Sequence, residues 1–301
     1  MPQGFAFLCG VPAIVTEKEH RVSSAQDIWK AITRERVIWF NIGKRKDSAM
    51  FKDTYDATAN TAAAKVSFMK KNPAGFFILS MLAGAYIGFG VLLAFTIGGL
   101  LTGQPYAKVV MGCAFGIALS LVVIAGAELF TGNNLVLSAG LFKGTVKISE
   151  ALSLWLFCWL GNACGSILLA FIYKATGLGT GDVAAFMANA ALGKMTADPV
   201  ALIARGILCN ILVCLAVWSA NRCKSEAGKL IMIFWCLFAF ITTGFEHSVA
   251  NMTLLTVALL TPAETAVTLG GWFYNLLFVT IGNMIGGIVF VALPYFAASR
   301  D

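Results

Sequence analysis

Six long runs of apolar residues limit what this chain can fold into. They cover about residues 76–100, 109–141, 149–173, 200–221, 230–260 and 268–296. About 20 apolar residues in a helix cross the hydrocarbon core of a bilayer, so each run is long enough to span it. Only 12% of the residues are charged, against about 25% in an ordinary soluble domain. The sequence therefore predicts an all-α polytopic membrane protein with six transmembrane helices.

The first 49 residues do not share this pattern. Residues 1–49 hold 8 of the 22 Lys and Arg residues, and their apolar stretch from Phe5 to Val15 is too short to span a bilayer. The stretch also lacks the positively charged start of a signal peptide. We expect residues 1–49 to be a cytoplasmic tail or a start-site extension. The membrane domain then covers residues 50–301 and opens with an amphipathic helix lying against the membrane, at about residues 54–68.

Basic residues near the ends of the runs indicate the orientation of the chain. One side collects Lys65, Lys70, Lys71, Lys143, Lys147, Arg222, Lys224, Lys229 and Arg300. The other side mixes Lys108, Lys174 and Lys194 with Asp182, Asp198 and Glu264. Because cytoplasmic loops carry an excess of Lys and Arg, both termini are predicted to be cytoplasmic.

The second and fifth runs are too long for single straight helices of about 20 residues. Each contains the spacing Gly-x-Glu-x4-Asn, at Gly126–Asn133 and at Gly244–Asn251. The third and sixth runs share Gly-Asn-x-x-Gly, beginning at Gly161 and Gly282. These echoes indicate a duplication of three spans, and an odd number places the halves in opposite orientations. We expect an inverted repeat in which spans two and five are broken at the first motif.

Glu128 and Glu246 lie within these motifs, where a carboxylate in an apolar span is costly. A broken helix exposes backbone N–H and C=O groups, which the glutamates, with Asn133 and Asn251, can satisfy. The alternative is that the glutamates line a solute path. A fixed negative charge would repel an anionic solute, which favours helix-break support.

His247 adjoins Glu246 at the second of these breaks, at mid-membrane depth. Polar groups at that depth usually mark a pathway. Burial favours a neutral imidazole and a bound anion favours imidazolium, so this histidine suits a proton-linked switch. The alternative is a buried histidine with a structural role only.

Other classes of protein find little support in the sequence. The eight cysteines form no CxxC pair, and most lie inside apolar runs, where cysteine acts as a small hydrophobic residue. We therefore expect no metal, no cofactor and no nucleic-acid partner. A membrane enzyme using Glu128, Glu246 and His247 stays an alternative, but no nucleophile or redox motif accompanies them. A structural or receptor-like membrane protein is a second alternative, which broken helices around a histidine disfavour.

Six segments together resemble the formate/nitrite transporter family, over about residues 51–298. They are GAELFTGN (126–133), KGTVKI (143–148), GNACGS (161–166), GILCNILVCLAVW (206–218), GFEHSVANMTL (244–254) and IGNMIGG (281–287). The resemblance implies an aquaporin-like protomer of six spans with its own pore, in a homopentamer within a lipid bilayer. It also implies a multi-pass protein of the bacterial inner membrane that is not an enzyme.

The resemblance further implies roles for single residues. His247 is similar to the central pore histidine, with Thr131 and Asn283 as polar neighbours. The cytoplasmic constriction is implied at Leu119, Leu129 and Phe130, and the periplasmic one at Phe115, Phe240, Asn210 and Val213. Lys194, which we expect in a loop after the third run, is similar to a lysine that attracts anions at the periplasmic vestibule.

The segments 116–132 and 235–254 resemble the nitrite branch of the family. The expected function is transport of nitrite, a small monovalent anion, linked to protons through the central histidine. The formate and hydrosulfide branches share the same plan, so a formate or hydrosulfide channel is the alternative.

Overall fold

The computed structural model describes Thr33, residues 51–261 and residues 267–300. The predicted tail at 1–49 lies outside the described residues apart from Thr33, so its nature stays a prediction.

Every regular element in the described ranges is a helix. In chain order these are α1 (51–71), α2 (Pro73–Leu100), α3 (Ala107–Phe115), α4 (Ile117–Leu121), α5 (Phe130–Lys143), α6 (Ile148–Ala175), α7 (Gly181–Met195), α8 (Pro199–Arg222), α9 (Glu226–Thr243), α10 (Ser248–Leu260), α11 (Leu269–Gly287) and α12 (Leu293–Ala298). A π-helical turn, Val122–Gly126, follows α4, and a second, Ile288–Ala292, joins α11 to α12.

Six stretches of the described chain are long and apolar enough to cross a membrane. They are Pro73–Leu100, Ala107–Gly126, Ile148–Ala175, Pro199–Arg222, Glu226–Thr243 and Leu269–Ala298. The predicted all-α fold with six transmembrane helices is confirmed.

The second and fifth apolar runs are both interrupted, and each interruption begins at a glycine. Gly126 has a φ of +82° and Gly244 a φ of +81°. This left-handed backbone costs other residues roughly 1–2 kcal/mol, so glycine suits the point where the helix stops. After Gly126 the chain is extended at Ala127 before α5 starts. After Gly244 three residues precede Ser248, where α10 starts.

Small residues let two pairs of helices approach closely. A Cβ atom on Gly84 of α2 would lie 2.1 Å from the Asn162 carbonyl oxygen of α6. A Cβ atom on Gly282 of α11 would lie 2.4 Å from the Ile203 carbonyl oxygen of α8. Backbones this close are typical of small-residue interfaces between membrane helices. The two contacts hold α6 against α2 and α11 against α8. They thereby fix the positions of Asn162 on α6 and Asn283 on α11.

A shorter helix precedes the first span of each half, α1 before α2 and α7 before α8. Both spans begin with a proline, at Pro73 and Pro199. The preceding side chains cap the helices: Asn72 accepts a hydrogen bond from Gly75 N–H at 2.9 Å, and Asp198 accepts one from Val200 N–H at 2.9 Å. Proline at the first position and Asn or Asp at the cap are the favoured start of a helix.

The α1 helix packs one face against the spans. Tyr55, Ala59, Ala62 and Val66 are buried and recur at helical spacing. The Tyr55 hydroxyl donates a hydrogen bond to the Ala292 carbonyl oxygen at 3.1 Å. The described structure thus has a helix over the predicted amphipathic segment, attached to the last span.

Candidate transport pathway

Two cavities enter the fold at opposite ends of the interrupted second span. The first, the α1 vestibule, has a volume of about 530 Å³. Its walls include Thr58, Thr61, Lys65, Leu119, Leu129, Gly132 and Val217. The second, the α7 vestibule, has a volume of about 180 Å³. Its walls include Lys108, Phe115, Lys194, Phe240, His247 and Asn251.

Apolar side chains stand between the two vestibules. Leu119 and Leu129 are buried at the end of the α1 vestibule. Phe115 and Phe240 meet edge to face at the α7 vestibule, with ring centroids 5.5 Å apart. The Phe240 ring also lies nearly parallel to the His247 imidazole, 5.9 Å away between centroids. A solute passing from one cavity to the other must cross this apolar layer.

Three other residues that the resemblance assigned to the constrictions line neither vestibule. Phe130 lines an outer apolar groove of about 400 Å³, with side chains of α6 and α11. Val213 and Asn210 are buried on α8. Asn210 donates from Nδ2 to the Asn283 carbonyl oxygen at 2.6 Å. Their part in a constriction stays a prediction.

His247 is held on both ring nitrogens. It is the N-cap of α10, and its Nδ1 accepts a hydrogen bond from Ala250 N–H at 3.1 Å. Its Nε2 lies 3.0 Å from the Thr131 hydroxyl oxygen on α5. An Nδ1 that accepts from the backbone leaves the hydrogen of a neutral ring on Nε2, directed at Thr131. His247 is 3% exposed and lines the α7 vestibule.

Asn283 supports the break in which His247 lies. Its Nδ2 donates to the carbonyl oxygens of Gly206 and Glu246, each at 2.9 Å. Its Oδ1 accepts from Ser248 N–H at 2.9 Å. The Glu246 carbonyl and the Ser248 N–H are backbone groups that the interruption leaves without an intrahelical partner, while the Gly206 carbonyl belongs to the neighbouring span α8. The prediction that Asn283 also contacts solute stays a prediction.

Asn162 makes the same contacts at the other break. Its Nδ2 donates to the carbonyl oxygens of Ser80, at 2.7 Å, and Glu128, at 2.9 Å. Its Oδ1 accepts from Phe130 N–H at 2.9 Å. Each break is thus closed by one asparagine that bonds a neighbouring span and both sides of the interruption.

The two predicted break-support glutamates occupy matching positions, and each is paired with a lysine. Glu128 Oε2 accepts from Lys65 Nζ at 2.5 Å and from Asn133 Nδ2 at 3.1 Å. Its backbone N–H donates to the Leu79 carbonyl oxygen at 3.2 Å. The Lys65 side chain is 21% exposed and the Glu128 side chain 12%, so solvent screens this pair only in part.

In the second half, Glu246 Oε2 accepts from Lys194 Nζ at 2.7 Å and from Asn251 Nδ2 at 2.6 Å. The Glu246 backbone N–H donates to the Arg205 carbonyl oxygen at 3.3 Å. The Glu246 side chain is 3% exposed. Since Glu246 binds a lysine, an asparagine and the backbone, it contributes to the second break as Glu128 does to the first.

The expectation that Lys194 lies in a loop is wrong. Lys194 belongs to the last turn of α7, and the structure pairs it with Glu246 rather than leaving it solvated. A break motif in a distant span supplies the carboxylate, which local sequence around Lys194 does not indicate.

Sequence reasoning missed Lys65, which it counted only for orientation. Lys65 lines the α1 vestibule as Lys194 lines the α7 vestibule. The available signal was the matched pair of prolines, although Lys65 precedes Pro73 by eight residues and Lys194 precedes Pro199 by five, and Lys70 and Lys71 lie nearer to Pro73.

Two vestibules that approach a buried histidine inside a six-span helical fold are typical of a membrane transport protein. The sequence profile described as formate/nitrite transporter matches residues 52–297. The chain is 44% identical over 252 residues to the nitrite transporter NirC of Salmonella typhimurium, covering 83% of this chain and 93% of that protein. It is 38% identical over 270 residues to the probable formate transporter of Methanothermobacter thermautotrophicus, covering 81% and 96%.

Solved structures show the same likeness. An FNT family ion channel matches with a TM-score of 0.79 and 42% identity, over 82% of this chain and 99% of that one. A pentameric formate channel with formate bound matches with a TM-score of 0.69 and 30% identity, over 76% and 98%. The chain belongs to the formate/nitrite transporter family, which confirms the resemblance found in the sequence. It is a multi-pass membrane transporter and not an enzyme.

Proposed function

We propose that the protein conducts nitrite across the bacterial inner membrane, through a separate pore in each protomer of a homopentamer, and that protons travel with the anion by way of His247. Nitrite is supported by the relatives at 44% identity, which are nitrite transporters. The pentamer is supported by the neighbour with a TM-score of 0.69. The positions of basic residues support the α1 vestibule as the cytoplasmic one.

The observation that carries the proton linkage is the position of His247. Its ring reaches the α7 vestibule and bonds Thr131 of the other half, so it lies where the two halves meet. A bare anion crossing the apolar layer formed with Phe115 and Phe240 meets a Born cost of up to tens of kcal/mol in an idealised medium of low dielectric. Crossing as neutral nitrous acid avoids that cost.

Protonation also removes the electrical penalty of uptake. Carrying one negative charge inward against a cytoplasm-negative potential costs about 2.3 kcal/mol per 100 mV, and a proton moving with it cancels that cost. In the proposed cycle Lys194 and Lys108 draw nitrite into the α7 vestibule. A proton then passes to the nitrite oxygen, the acid crosses Leu119 and Leu129, and the proton is released in the α1 vestibule.

The test is to measure nitrite flux and electrical current in parallel in proteoliposomes, from about pH 5 to 8, the range in which histidine usually titrates. We expect wild type to change both rate and charge moved per nitrite over this range. His247→Phe should lose that change. Retention of the wild-type profile by His247→Phe would leave the histidine with a structural role only.

Formate or hydrosulfide is the second candidate substrate. The relative named a probable formate transporter and the formate-bound neighbour favour formate. A competition panel of nitrite, formate, hydrosulfide and lactate on the purified protein in liposomes ranks them. Nitrite that competes no better than formate would contradict the nitrite assignment and leave the family intact.

A further inference from the structure

One lysine of the α7 vestibule has no acidic partner in the described part of the chain. Within the described residues, the ionisable side chains that line this vestibule are Lys108, Lys194 and His247. Lys194 Nζ lies 2.7 Å from Glu246 Oε2, so the two charges of that pair offset each other. Lys108 is exposed and belongs to no ion pair in the described ranges. With a neutral His247 ring, the net positive charge of the vestibule is therefore the charge of Lys108.

The α1 vestibule differs in this respect. The lysines on its walls are Lys65 and Lys229. Lys65 pairs with Glu128 at 2.5 Å, and Lys229 pairs with Glu226 at 2.9 Å. Each of these lysines thus has a carboxylate within ion-pair distance. In the described structure, the wall of the α7 vestibule carries an unbalanced cation and the wall of the α1 vestibule does not.

Lys108 lies at the start of a helix face that leads to the apolar layer. Lys108, Met111 and Phe115 are spaced by three and four residues on α3, and all three line the α7 vestibule. Seven residues of helix measure about 10 Å. Since Phe115 meets Phe240 in the apolar layer, Lys108 is that far along α3 from the layer. The charge stands at the approach to the constriction, outside it.

Packing on both sides of this face fixes the rotation of α3. On one side, Gly112 lets α3 approach α9, since a Cβ atom on Gly112 would collide with the Thr242 hydroxyl oxygen. On the other side, Met111 Sδ would stand 2.8 Å from a Cβ atom on Gly98 of α2. A rotation of α3 that moved Lys108 out of the vestibule would break both contacts.

The reach of an exposed charge depends on salt. The Debye length is about 30 Å at 0.01 M ionic strength and about 8 Å at 0.15 M. The field of Lys108 therefore crosses the vestibule at low salt and is confined to the neighbourhood of its ammonium group at 0.15 M. The opposite charges of Lys194 and Glu246 largely cancel at a distance, because each contributes in inverse proportion to nearly the same separation. That pair acts on a solute close to His247, whereas Lys108 acts on one still at the mouth.

We propose that Lys108 supplies the net positive charge that concentrates small anions in the α7 vestibule, while the pair of Lys194 and Glu246 acts on the anion only near the apolar layer. The inference deepens the proposed anion transport and rests on it. Capture by charge does not distinguish nitrite from formate, because both are small monovalent anions. The α7 entrance should fill at a lower anion concentration than the α1 entrance.

The test removes the charge of Lys108 alone. Lys108→Gln keeps a polar side chain, and Lys108→Arg keeps the charge. Lys174→Gln is the matched control, since Lys174 is another exposed lysine without an ion pair in the described ranges and lines a separate cavity. Initial rates of nitrite flux are measured at fixed pH in sealed membrane vesicles of both orientations, at ionic strengths of about 0.01 M and 0.15 M.

At low salt, we expect the half-saturating nitrite concentration of wild type to be lower from the α7 side than from the α1 side. Lys108→Gln should raise the α7-side value about threefold or more and remove this difference. The maximal rate should not fall, because the apolar layer is unchanged. At about 0.15 M the effect of Lys108→Gln should shrink to less than about twofold. Lys108→Arg should keep the salt dependence of wild type, and Lys174→Gln should match wild type throughout.

A second comparison separates Lys108 from the ion pair. Lys194→Met with Glu246→Gln removes one charge of each sign, so the net charge of the vestibule does not change. This double variant should lose stability and maximal rate, since Glu246 supports the second break. The salt dependence of its half-saturating concentration should stay that of wild type. A salt dependence that is lost in the double variant and kept in Lys108→Gln would assign capture to Lys194 and overturn the proposal.

The remaining outcomes distinguish the inference from the proposed function. Equal half-saturating concentrations in Lys108→Gln and Lys174→Gln would overturn the capture role of Lys108 and leave anion transport intact. A lower Tm with a lower maximal rate in Lys108→Gln, at an unchanged half-saturating concentration, would show a structural role and overturn the capture role too. Wild type that carries neither nitrite nor formate would overturn the proposed function, and the inference with it.

Discussion

The two interrupted spans share a scaffold but differ in one functional position. Leu129 precedes α5 and His247 precedes α10, and the two residues lie 118 positions apart, the same offset as Glu128 and Glu246. Their backbones are alike, with φ and ψ of −104° and 123° at Leu129 and −111° and 114° at His247. The leucine gives no side-chain cap, while the histidine caps α10 and bonds Thr131.

The comparison distinguishes the residues that support the broken helices from the histidine to which the proton function is assigned. The asparagines, the glutamates and their lysines recur in both halves, because every broken helix in a membrane must have its backbone groups satisfied. The imidazole occurs in one half only. Supporting residues should therefore respond alike to substitution in both halves, while the residues at the 129 and 247 positions should not.

The largest expected loss of stability comes from replacing Asn162 and Asn283, the asparagines that bond across the two breaks. Asn162→Leu removes the hydrogen bonds to Glu128 and Phe130 across the first break, and Asn283→Leu removes those to Glu246 and Ser248 across the second, at about 1–3 kcal/mol for each backbone group left without a partner. We expect either change to remove about 3–5 kcal/mol of stability or to prevent folding. Thermal unfolding in detergent measures it. Ser166→Ala, which removes one 3.3 Å bond to Gly84, is the control. A large loss of stability from only one of the two substitutions would contradict the expectation that the two halves respond alike.

The next effect concerns the buried ion pairs. Glu128→Gln and Glu246→Gln leave Lys65 and Lys194 without their carboxylate, which should cost about 2–4 kcal/mol since these pairs are mostly buried. Adding Lys194→Met to Glu246→Gln should recover part of the loss. The control is Glu226→Gln on α9, whose side chain is 71% exposed and should change stability by less than about 1 kcal/mol. Equal losses of stability in Glu128→Gln, Glu246→Gln and Glu226→Gln would show that burial does not set the strength of these ion pairs.

A smaller effect separates the cap from the proton function at position 247. His247→Leu copies the first half and should lose about 1 kcal/mol with the cap. His247→Asn keeps a cap acceptor and should lose less, while both variants lose the pH dependence of flux. Thermal unfolding and the pH profile of nitrite flux, measured on the same preparations, separate the two roles. Equal stability of the two variants would contradict the capping role.

The smallest expected effect comes from moving the pair to the other half. Thr131 corresponds to Val249 by the same offset of 118 residues. In a His247→Leu background, Leu129→His with Val249→Thr rebuilds a histidine and threonine pair in mirrored positions. We expect a weak, partial return of pH-dependent flux, because the new imidazole faces the α1 vestibule. Leu129→His alone serves as the control, and its flux should not depend on pH.

Much of the fold follows from local patterns in the chain. The six spans depend on the length of apolar runs, which the bilayer thickness sets. The points of interruption follow from Gly126 and Gly244 within overlong runs, and the structure has a left-handed glycine at each. His247 and Thr131 were expected to be neighbours from the resemblance, and they lie 3.0 Å apart between Nε2 and Oγ1.

Contacts between distant residues were decided only by the tertiary structure. Lys65 and Glu128 are 63 residues apart, and Lys194 and Glu246 are 52 apart, so no periodic pattern connects them. Phe130 follows Leu129 directly, yet one lines an outer groove and the other a vestibule, because the backbone changes from extended at Leu129 to helical at Phe130. Asn134 of α5 and Asn210 of α8 both pack against Gly287 of α11, where a Cβ atom would stand 2.7 Å from Asn134 Cβ and 2.8 Å from Asn210 Nδ2. Apolar length and glycine position act locally and are written in the sequence, whereas the pairing of charges and amides depends on how the helices pack.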